Sequence, residues 1–270
     1  MNLNNFTIGQ YFPGDSPIHK LDPRTKIILT IFLIAAIFLS HGFCGYVPVL
    51  VYTLLAARLS RIKLKFLIRG IKPILFIMLF TVVINLFFST GETVLWKLGI
   101  ITITKEGLKN AALMACRLLL LVTGTQLLTL TTSPIALTDG IESLMKPLKK
   151  IRFPAHEIAM MMSIALRFIP TLMEEADKIM KAQTARGADF DSGNLLKRAK
   201  ALVPLLVPLF VSAFRRADEL AMAMEARLYR GGEGRTRLRV LKYTASDAFA
   251  ALSMILLFAA IITINSLGLI

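Results

Sequence analysis

The sequence predicts an all-α membrane protein with about five transmembrane helices and a cytoplasmic domain of three amphipathic helices, two of them long. The 270-residue chain is 55% hydrophobic and only 18% charged, whereas soluble domains average about 25% charged residues. Its formal net charge of +15 lies mostly beside and between apolar runs, as is typical of the inner side of a bilayer. A nucleic-acid-binding domain would spread that charge over a polar surface, so we expect a lipid bilayer as surroundings and no nucleic-acid partner.

The first two spans come from one apolar run at residues 26–57, which is too long for a single helix of about 20 residues. One alternative is two short spans joined by a turn at His41 and Gly42, and the other is one steeply tilted helix. The six basic residues within 58–72 would share a side with those before residue 27 only if the chain crosses twice. We therefore predict spans at 26–41 and 43–58.

Three further spans follow along the chain. We predict a third at 73–89, a fourth at 110–131 and a last one at 245–266. The polar stretch 90–110 between the third and fourth spans should be external. In that stretch Trp96 suits an interfacial anchor and the alternation over residues 100–104 suits a short strand.

The distribution of basic residues predicts the orientation. With this arrangement 28 of the 32 Lys and Arg residues lie on the inner side, so the N-terminus should be inside and the C-terminus outside. The chain then divides into a four-span region at 1–131, a cytoplasmic domain at 132–243 and a final transmembrane helix at 244–270.

Residues 132–242 differ in kind from the rest of the chain. They contain 19 basic and 12 acidic residues and no apolar stretch of spanning length. Apolar residues recur there every three or four positions, which predicts helices at 134–150, 155–186 and 194–228. Ser133 is the predicted N-cap of the first helix. Prolines 170, 204 and 208 should bend the two long helices.

Both long helices end in the same way, with an arginine preceded by alanine and followed by a glycine-rich turn. The first ends in Ala185, Arg186 and Gly187, and the second in Ala226, Arg227 and Leu228. A cation near a helix C-terminus is stabilised by the helix dipole by about 0.3–1 kcal/mol. That explains one such end more easily than two. An exposed planar guanidinium is also suited to an acidic or carbonyl-lined groove of another protein.

These features together resemble a known family. The two arginine ends, the long helices, the four-plus-one spans and the N-terminal stretch reading GQY at 9–11 and DSPIHKLDPRTK at 15–26 are similar to the transmembrane T component of energy-coupling factor transporters. The resemblance covers nearly the whole chain. It implies a non-catalytic subunit of an ATP-driven importer of vitamins or other micronutrients in the bacterial cell membrane.

The resemblance also implies partners and sites. The partners would be two cytoplasmic ABC ATPases, of the EcfA and EcfA' types, which bind ATP and Mg²⁺, and a small membrane-embedded substrate-binding S component. Arg186 and Arg227 would each dock in a groove of one ATPase, with their neighbours Ala185, Gly187, Ala226 and Leu228 completing the contact. The apolar faces of the long helices would bind the S component through Met162, Ile169, Met173, Leu209, Ala213 and Ala217. The long N-terminal stretch is more similar to a T component shared among several S components than to the dedicated cobalt or biotin versions.

No catalytic, metal or cofactor site is expected in this chain. A phosphate-binding loop motif is absent, and Gly231-Gly232-Glu233-Gly234 lacks the required lysine. The three histidines are too far apart in sequence for metal-ligand spacing. Arg117 in the fourth span has three alternatives, which are a structural pairing, snorkelling to the interface and contact with substrate.

Two other functions compete with the importer subunit. A self-contained secondary transporter or channel would call for internal repeats and polar or broken helices near the bilayer midplane, whereas these spans are mostly apolar and unpaired. A membrane-bound lipid enzyme would need a clustered acid–base or nucleophile–base set. Co-purification with two ATPases and a small membrane protein would distinguish the importer subunit from both.

Overall fold

The computed structural model describes residues 11–88, 93–98, 101–151, 153–188, 190, 194–231 and 240–267. The chain divides into two compact units. We name residues 9–140 with 240–270 the membrane unit, and residues 141–239 the α7–α8 unit. Helices account for nearly all the regular structure of the described residues, which confirms the predicted all-α fold class.

The first two helices form the expected pair. Helix α1 spans Pro23–Leu39, with the Asp22 carboxylate accepting a hydrogen bond from the Arg24 N–H at its start. Helix α2 spans Gly42–Leu59. Gly42 has a φ of 62°, a left-handed conformation that glycine adopts without strain. The tight turn between two helices is therefore confirmed, and the single tilted helix is excluded.

The predicted third span corresponds to one helix, and a further helix precedes it. Helix α3 spans Leu64–Ile71 and α4 spans Leu75–Phe88, with a bend of 58° between them. Helix α4 lies within the span predicted at 73–89, whereas helix α3 was not predicted. Apolar residues at 64, 67, 68 and 71 share one face of α3, so this segment is an amphipathic helix in spite of its lysine and arginine residues.

A small hairpin precedes the next long helix. Strands β1, Val94–Leu98, and β2, Ile101–Thr104, pair antiparallel, as the alternation over 100–104 predicted. Helix α5 spans Lys105–Thr131. It begins five residues before the predicted start at 110, because the Thr104 hydroxyl caps it by accepting from the Gly107 N–H at 3.1 Å.

Helix α9, Ala245–Ser266, completes the membrane unit. Within the described residues, α2, α5 and α9 are long and apolar enough to cross a bilayer, and the bent α3–α4 pair would be a fourth span. Helix α1 has 17 residues, which is at the lower limit of spanning length. The count of five spans therefore stays a prediction.

Helix α1 packs against three other helices of the membrane unit. Its buried residues Leu33, Ala36 and Ile37 pack in one cluster with residues of α2, α5 and α9. The other buried members of the cluster are Tyr46, Val49, Leu120, Met254, Leu257 and Ile261.

A polar network fixes the start of α1 against two distant segments. The Lys26 ammonium is 6% exposed and donates to the His19 carbonyl at 3.1 Å and the Thr131 carbonyl at 2.9 Å. The Asp22 N–H donates to Asp247 Oδ1 at 2.9 Å. The DPRTK stretch thus joins the start of α1 to the end of α5 and the start of α9.

The remaining helices belong mostly to the α7–α8 unit. Helix α6 spans Pro134–Met145 and a 3-10 helix follows over Lys146–Ile151. The predicted N-cap is confirmed, because the Ala136 N–H donates to Ser133 Oγ at 3.3 Å. The predicted helix 134–150 changes type at its end, where Pro147 lacks the backbone donor that an α-helix would use.

The two long helices match their predicted limits within two residues. Helix α7 spans Ala155–Ala185 and α8 spans Leu195–Ala226. Both continue as single helices through their internal prolines. The bends expected at those prolines stay a prediction.

Candidate functional site

The end of α7, which we name the first tip (residues 185–187), is closed by two backbone hydrogen bonds. The Gly187 N–H donates to the Thr184 carbonyl at 3.0 Å, and the Ala188 N–H donates to the Gln183 carbonyl at 3.0 Å. Gly187 has a φ of 89°. This pair of bonds around a left-handed residue is a Schellman motif, and it leaves Arg186 as the C-cap residue.

The end of α8, the second tip (residues 226–228), has the same backbone arrangement. The Leu228 N–H donates to the Glu225 carbonyl at 2.8 Å, and the Tyr229 N–H donates to the Met224 carbonyl at 3.0 Å. Leu228 occupies the left-handed position with a φ of 56°, and Arg227 is the C-cap residue. The two arginines therefore have equivalent positions in equivalent caps.

The second tip adopts this cap in spite of its sequence. A non-glycine residue in the left-handed region costs about 1–2 kcal/mol, and Leu228 is 77% exposed, so it gains little burial in return. The sequence alone gave no signal for this conformation, because a leucine at this position predicts no left-handed turn. The similarity of the two tips is consequently greater in the backbone than in the sequence.

The side chains of Arg186 and Arg227 are exposed. Among the described residues, neither guanidinium has a hydrogen-bond or ion-pair partner. Each sits at a helix C-terminus, where the partial negative charge of the dipole stabilises a cation. Ala185 and Ala226, which precede them, are also exposed. Each tip therefore presents a charged planar group beside a methyl group, open to a binding partner.

Helices α7 and α8 are joined by an ion pair. Arg216 Nη2 lies 3.0 Å from Glu175 Oε2. The pKa of Glu175 is lowered from its ordinary value by a hydrogen bond from Ser212 and by the bond and charge of Arg216. Ser212 and Arg216 lie one turn apart on α8, so one carboxylate on α7 fixes this register between the helices.

A second contact sets the direction of the pair. Tyr229 Oη donates to Met160 Sδ at 3.1 Å, so the end of α8 lies beside the start of α7. The two helices thus run antiparallel, and the second tip lies near residue 160 of α7 while the first tip lies 25 residues further along. At 1.5 Å per residue the two arginines are roughly 35 Å apart.

Helix α8 also has an exposed apolar surface. We name Leu206, Val207, Phe210, Val211 and Phe214 the α8 apolar face, and each of them is at least 50% exposed. The Phe210 and Phe214 rings stack with centroids 6.4 Å apart. Arg215 and Asp218 also line the shallow groove over this face. An apolar surface of this kind with a charged margin is typical of a protein-binding site.

The six residues predicted to bind the S component do not form one exposed surface. Met162, Ile169 and Ala217 are exposed, whereas Met173, Leu209 and Ala213 are partly buried. On α8 the less exposed positions recur at 205, 209, 212, 213 and 216, and this face includes the ion-pair residues to α7. Sequence periodicity found the apolar positions but did not separate the α8 apolar face from the face toward α7.

A metal site would need clustered ligand side chains in the part of the chain that the structure describes. Among those residues no group of three or more His, Cys, Asp or Glu side chains could hold a metal ion. The glycine-rich stretch 231–234 lies almost wholly outside the described residues. The candidate site consists of the pair of tips together with the α8 apolar face.

Comparison with known proteins gives evidence of family membership that is independent of the geometry of the tips. The sequence model of a family described as cobalt transport protein, CbiQ, matches residues 14–238. The chain is 56% identical over 256 residues to the energy-coupling factor transporter transmembrane protein EcfT of Clostridium kluyveri, covering 94% of this chain and 95% of that protein. It is 58% identical to the protein of that name from Thermosediminibacter oceani, covering 92% and 93%. The Lactococcus lactis protein of that name is 47% identical, covering 94% and 96%.

Proposed function

This chain belongs to the T-component family of energy-coupling factor transporters, and from that membership we propose that it couples two cytoplasmic ATPases to a small substrate-binding S component in the membrane. The chain is a transmembrane transport subunit and not an enzyme. Its partners would bind and hydrolyse ATP with Mg²⁺, and the chain itself would need no cofactor. The transported compounds would be vitamins or other micronutrients, recognised by the S component.

The observation that carries this proposal is the pair of equivalent tips. Two helices that differ in sequence end in the same cap, and each presents one exposed arginine without a partner among the described residues. A single such end is common, because it is stabilised by the helix dipole. A pair roughly 35 Å apart on one antiparallel unit suits two separate binding sites, as two ATPase subunits would offer.

Arginine is the appropriate residue for such a contact. Its guanidinium is permanently charged and donates up to five hydrogen bonds in a fixed plane, so it fits a groove lined by carboxylates or backbone carbonyls. Charge-assisted hydrogen bonds of this kind are stronger than neutral ones. Movement of either ATPase on nucleotide binding would then be transmitted along a stiff helix, of about 46 Å for α7 at 1.5 Å per residue.

We assign the S-component contact to the α8 apolar face, which extends the sequence prediction from Leu209, Ala213 and Ala217 to their exposed neighbours. The surface around Phe210 and Phe214 is exposed and apolar, and the partner is itself a membrane protein with apolar surface. Replacing Phe210 by Asp should abolish co-purification of the S component while both ATPases remain bound. Arg167→Asp, at another exposed position of the unit, is the control, and loss of all partners in Phe210→Asp would contradict the assignment.

The orientation follows from charge. With 28 of the 32 basic residues assigned to one side, we place that side and the N-terminus in the cytoplasm, and the C-terminus outside. Both tips lie in the segment assigned to the cytoplasm, where ATPases would reach them. We also propose that several S components share this subunit. Identifying the small membrane proteins that co-purify with the chain tests this, and a single species would contradict it.

Charge reversal tests the tips. Arg186→Glu and Arg227→Glu should each reduce ATPase co-purification and ATP-driven uptake, because a carboxylate would meet the acceptors that the guanidinium binds. Arg167→Glu, at an exposed position inside α7, is the matched control and should keep both activities. Normal assembly and uptake in both tip variants would refute the proposal. Uptake by the purified chain without any partner would favour the self-contained transporter.

A further inference from the structure

Arg117 has hydrogen-bonding capacity that the described part of the protein does not use. Its Nε donates to Tyr46 Oη at 2.8 Å, and Nη1 makes one long contact of 4.0 Å with Met114 Sδ. No carboxylate among the described residues forms an ion pair with it. A guanidinium has five N–H donors, so most of the donors on Nη1 and Nη2 remain for a ligand.

The position of the guanidinium in the membrane unit is set by its contacts. Tyr46 lies four residues after the start of α2, about 6 Å along the helix. The guanidinium carbon lies 5.7 Å from the Phe38 ring centroid, and Phe38 is the penultimate residue of α1. Asn265, near the end of α9, donates to the Leu39 carbonyl at 3.0 Å. The ends of α1 and α9 and the start of α2 therefore lie together near the guanidinium, close to one edge of the apolar cluster that these three helices form.

Large apolar side chains are exposed around this level. Phe38 is 58% exposed, Phe43 50% and Val47 55%, and large apolar side chains at the exposed surface of transmembrane helices contact acyl chains. A charged group inside a bilayer is retained where it pairs with another polar group or reaches the interface. Helical side chains incline toward the helix N-terminus, which directs Arg117 toward this edge.

We propose that Arg117 binds the phosphate of a phospholipid in the leaflet that contains the α1–α2 turn. The planar Nη pair matches two phosphate oxygens, and Tyr46 orients the fork through Nε. The rings of Phe38 and Tyr46 flank the guanidinium at 5.7 and 6.0 Å, in the manner of aromatic residues at a membrane interface. In this proposal the guanidinium of Arg117 on α5 binds lipid and not the transported substrate.

Photolabelling of the full-length chain tests the site. The chain is placed in nanodiscs of phosphatidylcholine and phosphatidylglycerol that contain a trace phospholipid with a photoactivatable headgroup, and labelled peptides are mapped by mass spectrometry. Labelling within residues 38–47 and 110–121 should fall about tenfold in Arg117→Gln, as expected for loss of a charge-assisted contact. Arg117→Lys should give an intermediate value, because it keeps the charge and loses the fork.

Two controls separate lipid binding from misfolding. Arg58→Gln changes an exposed arginine at the opposite end of α2 and should leave labelling near Arg117 unchanged. Tyr46→Phe keeps the aromatic ring and Arg117 and removes only the hydroxyl oxygen that accepts from Arg117 Nε. It should therefore lower labelling about threefold, which is a smaller change than that expected for loss of the charge. If Arg117→Gln also loses labelling near residue 58, that variant has misfolded. The labelling of Tyr46→Phe then decides whether Arg117 binds the lipid phosphate.

Three outcomes would overturn the proposal. One is wild-type labelling in Arg117→Gln, and another is wild-type labelling in Tyr46→Phe when Arg117→Gln has misfolded. The third is loss of labelling when partner proteins are added, with recovery after a partner carboxylate is replaced, because Arg117 would then bind protein and not lipid. The first two outcomes are measured on the chain without any ATPase, so they do not depend on the function proposed for the tips.

Discussion

Exchanging the left-handed residues of the two tips should have opposite effects on their stability. Gly187 and Leu228 occupy the same cap position with φ of 89° and 56°. Leu228→Gly relieves about 1–2 kcal/mol of left-handed strain and adds about 0.5–1 kcal/mol of unfolded-state entropy. The net stabilisation of the second tip is about 0.5–1 kcal/mol. Gly187→Ala should destabilise the first tip by a similar amount.

Side-chain contacts contribute little to the stability change expected for either substitution. A Cβ added at Gly187 would meet nothing within 4 Å, so the cost of Gly187→Ala is conformational and not steric. Leu228 is 77% exposed, so its removal loses little apolar burial. The expected change is therefore that of the backbone alone.

Hydrogen–deuterium exchange measures the effect locally. The Tyr229 N–H closes the second cap and the Ala188 N–H closes the first. A change of 0.5–1 kcal/mol corresponds to about two- to fivefold in the opening equilibrium. Tyr229 should exchange more slowly by that factor in Leu228→Gly, and Ala188 faster in Gly187→Ala. Faster exchange at Tyr229 in Leu228→Gly would refute the reasoning.

Two further predictions concern polar groups that join helices. The pKa of Glu175 is lowered chiefly by the hydrogen bond from Ser212 and then by Arg216. The ionised Glu175 therefore stabilises the packing of α7 on α8 at pH values above the ordinary glutamate pKa of 4.5. This contribution is lost as the pH falls through the lower pKa of the folded state. Arg216→Gln should flatten this pH dependence, as measured by hydrogen–deuterium exchange of amides in the middle of α7. A pH dependence equal to that of the wild type would contradict this prediction. Lys26→Met should lower the thermal midpoint of the membrane unit, because the buried Thr131 carbonyl loses its donor at a cost of about 1–3 kcal/mol and the partly buried His19 carbonyl at a smaller one. A midpoint equal to that of the wild type would show that water or lipid replaces the ammonium.

The sequence predicted the long helices well because their signals are local. Apolar periodicity over some thirty residues and a glycine-rich end located α7 and α8 within two residues. Helix α3 was not predicted, because its basic residues were used only to orient the chain, although its apolar residues share one face. The basic residues of this segment are unfavourable for a membrane span, whereas its apolar periodicity indicates a helix. The structure contains the helix.

The parts that the sequence could not predict depend on contacts between distant residues. Asp22 and Asp247 are 225 residues apart, and the carbonyl that Lys26 binds belongs to Thr131. The DPRTK stretch could be recognised as a family motif, but its role in joining three helix ends required the structure. The exposed side of α8 likewise depends on which face packs against α7, and periodicity alone does not choose between two apolar faces.

Photo-cross-linking from the two tips tests the central claim most directly. A photoactivatable amino acid replaces the exposed Ala185 in one variant and the exposed Ala226 in another, next to each arginine, within the assembled and purified transporter. Each variant should cross-link to an ATPase, and the two should label different ATPase subunits, because the tips lie roughly 35 Å apart. Cross-links from both positions to lipid or to the S component, with none to an ATPase, would contradict the coupling role of Arg186 and Arg227.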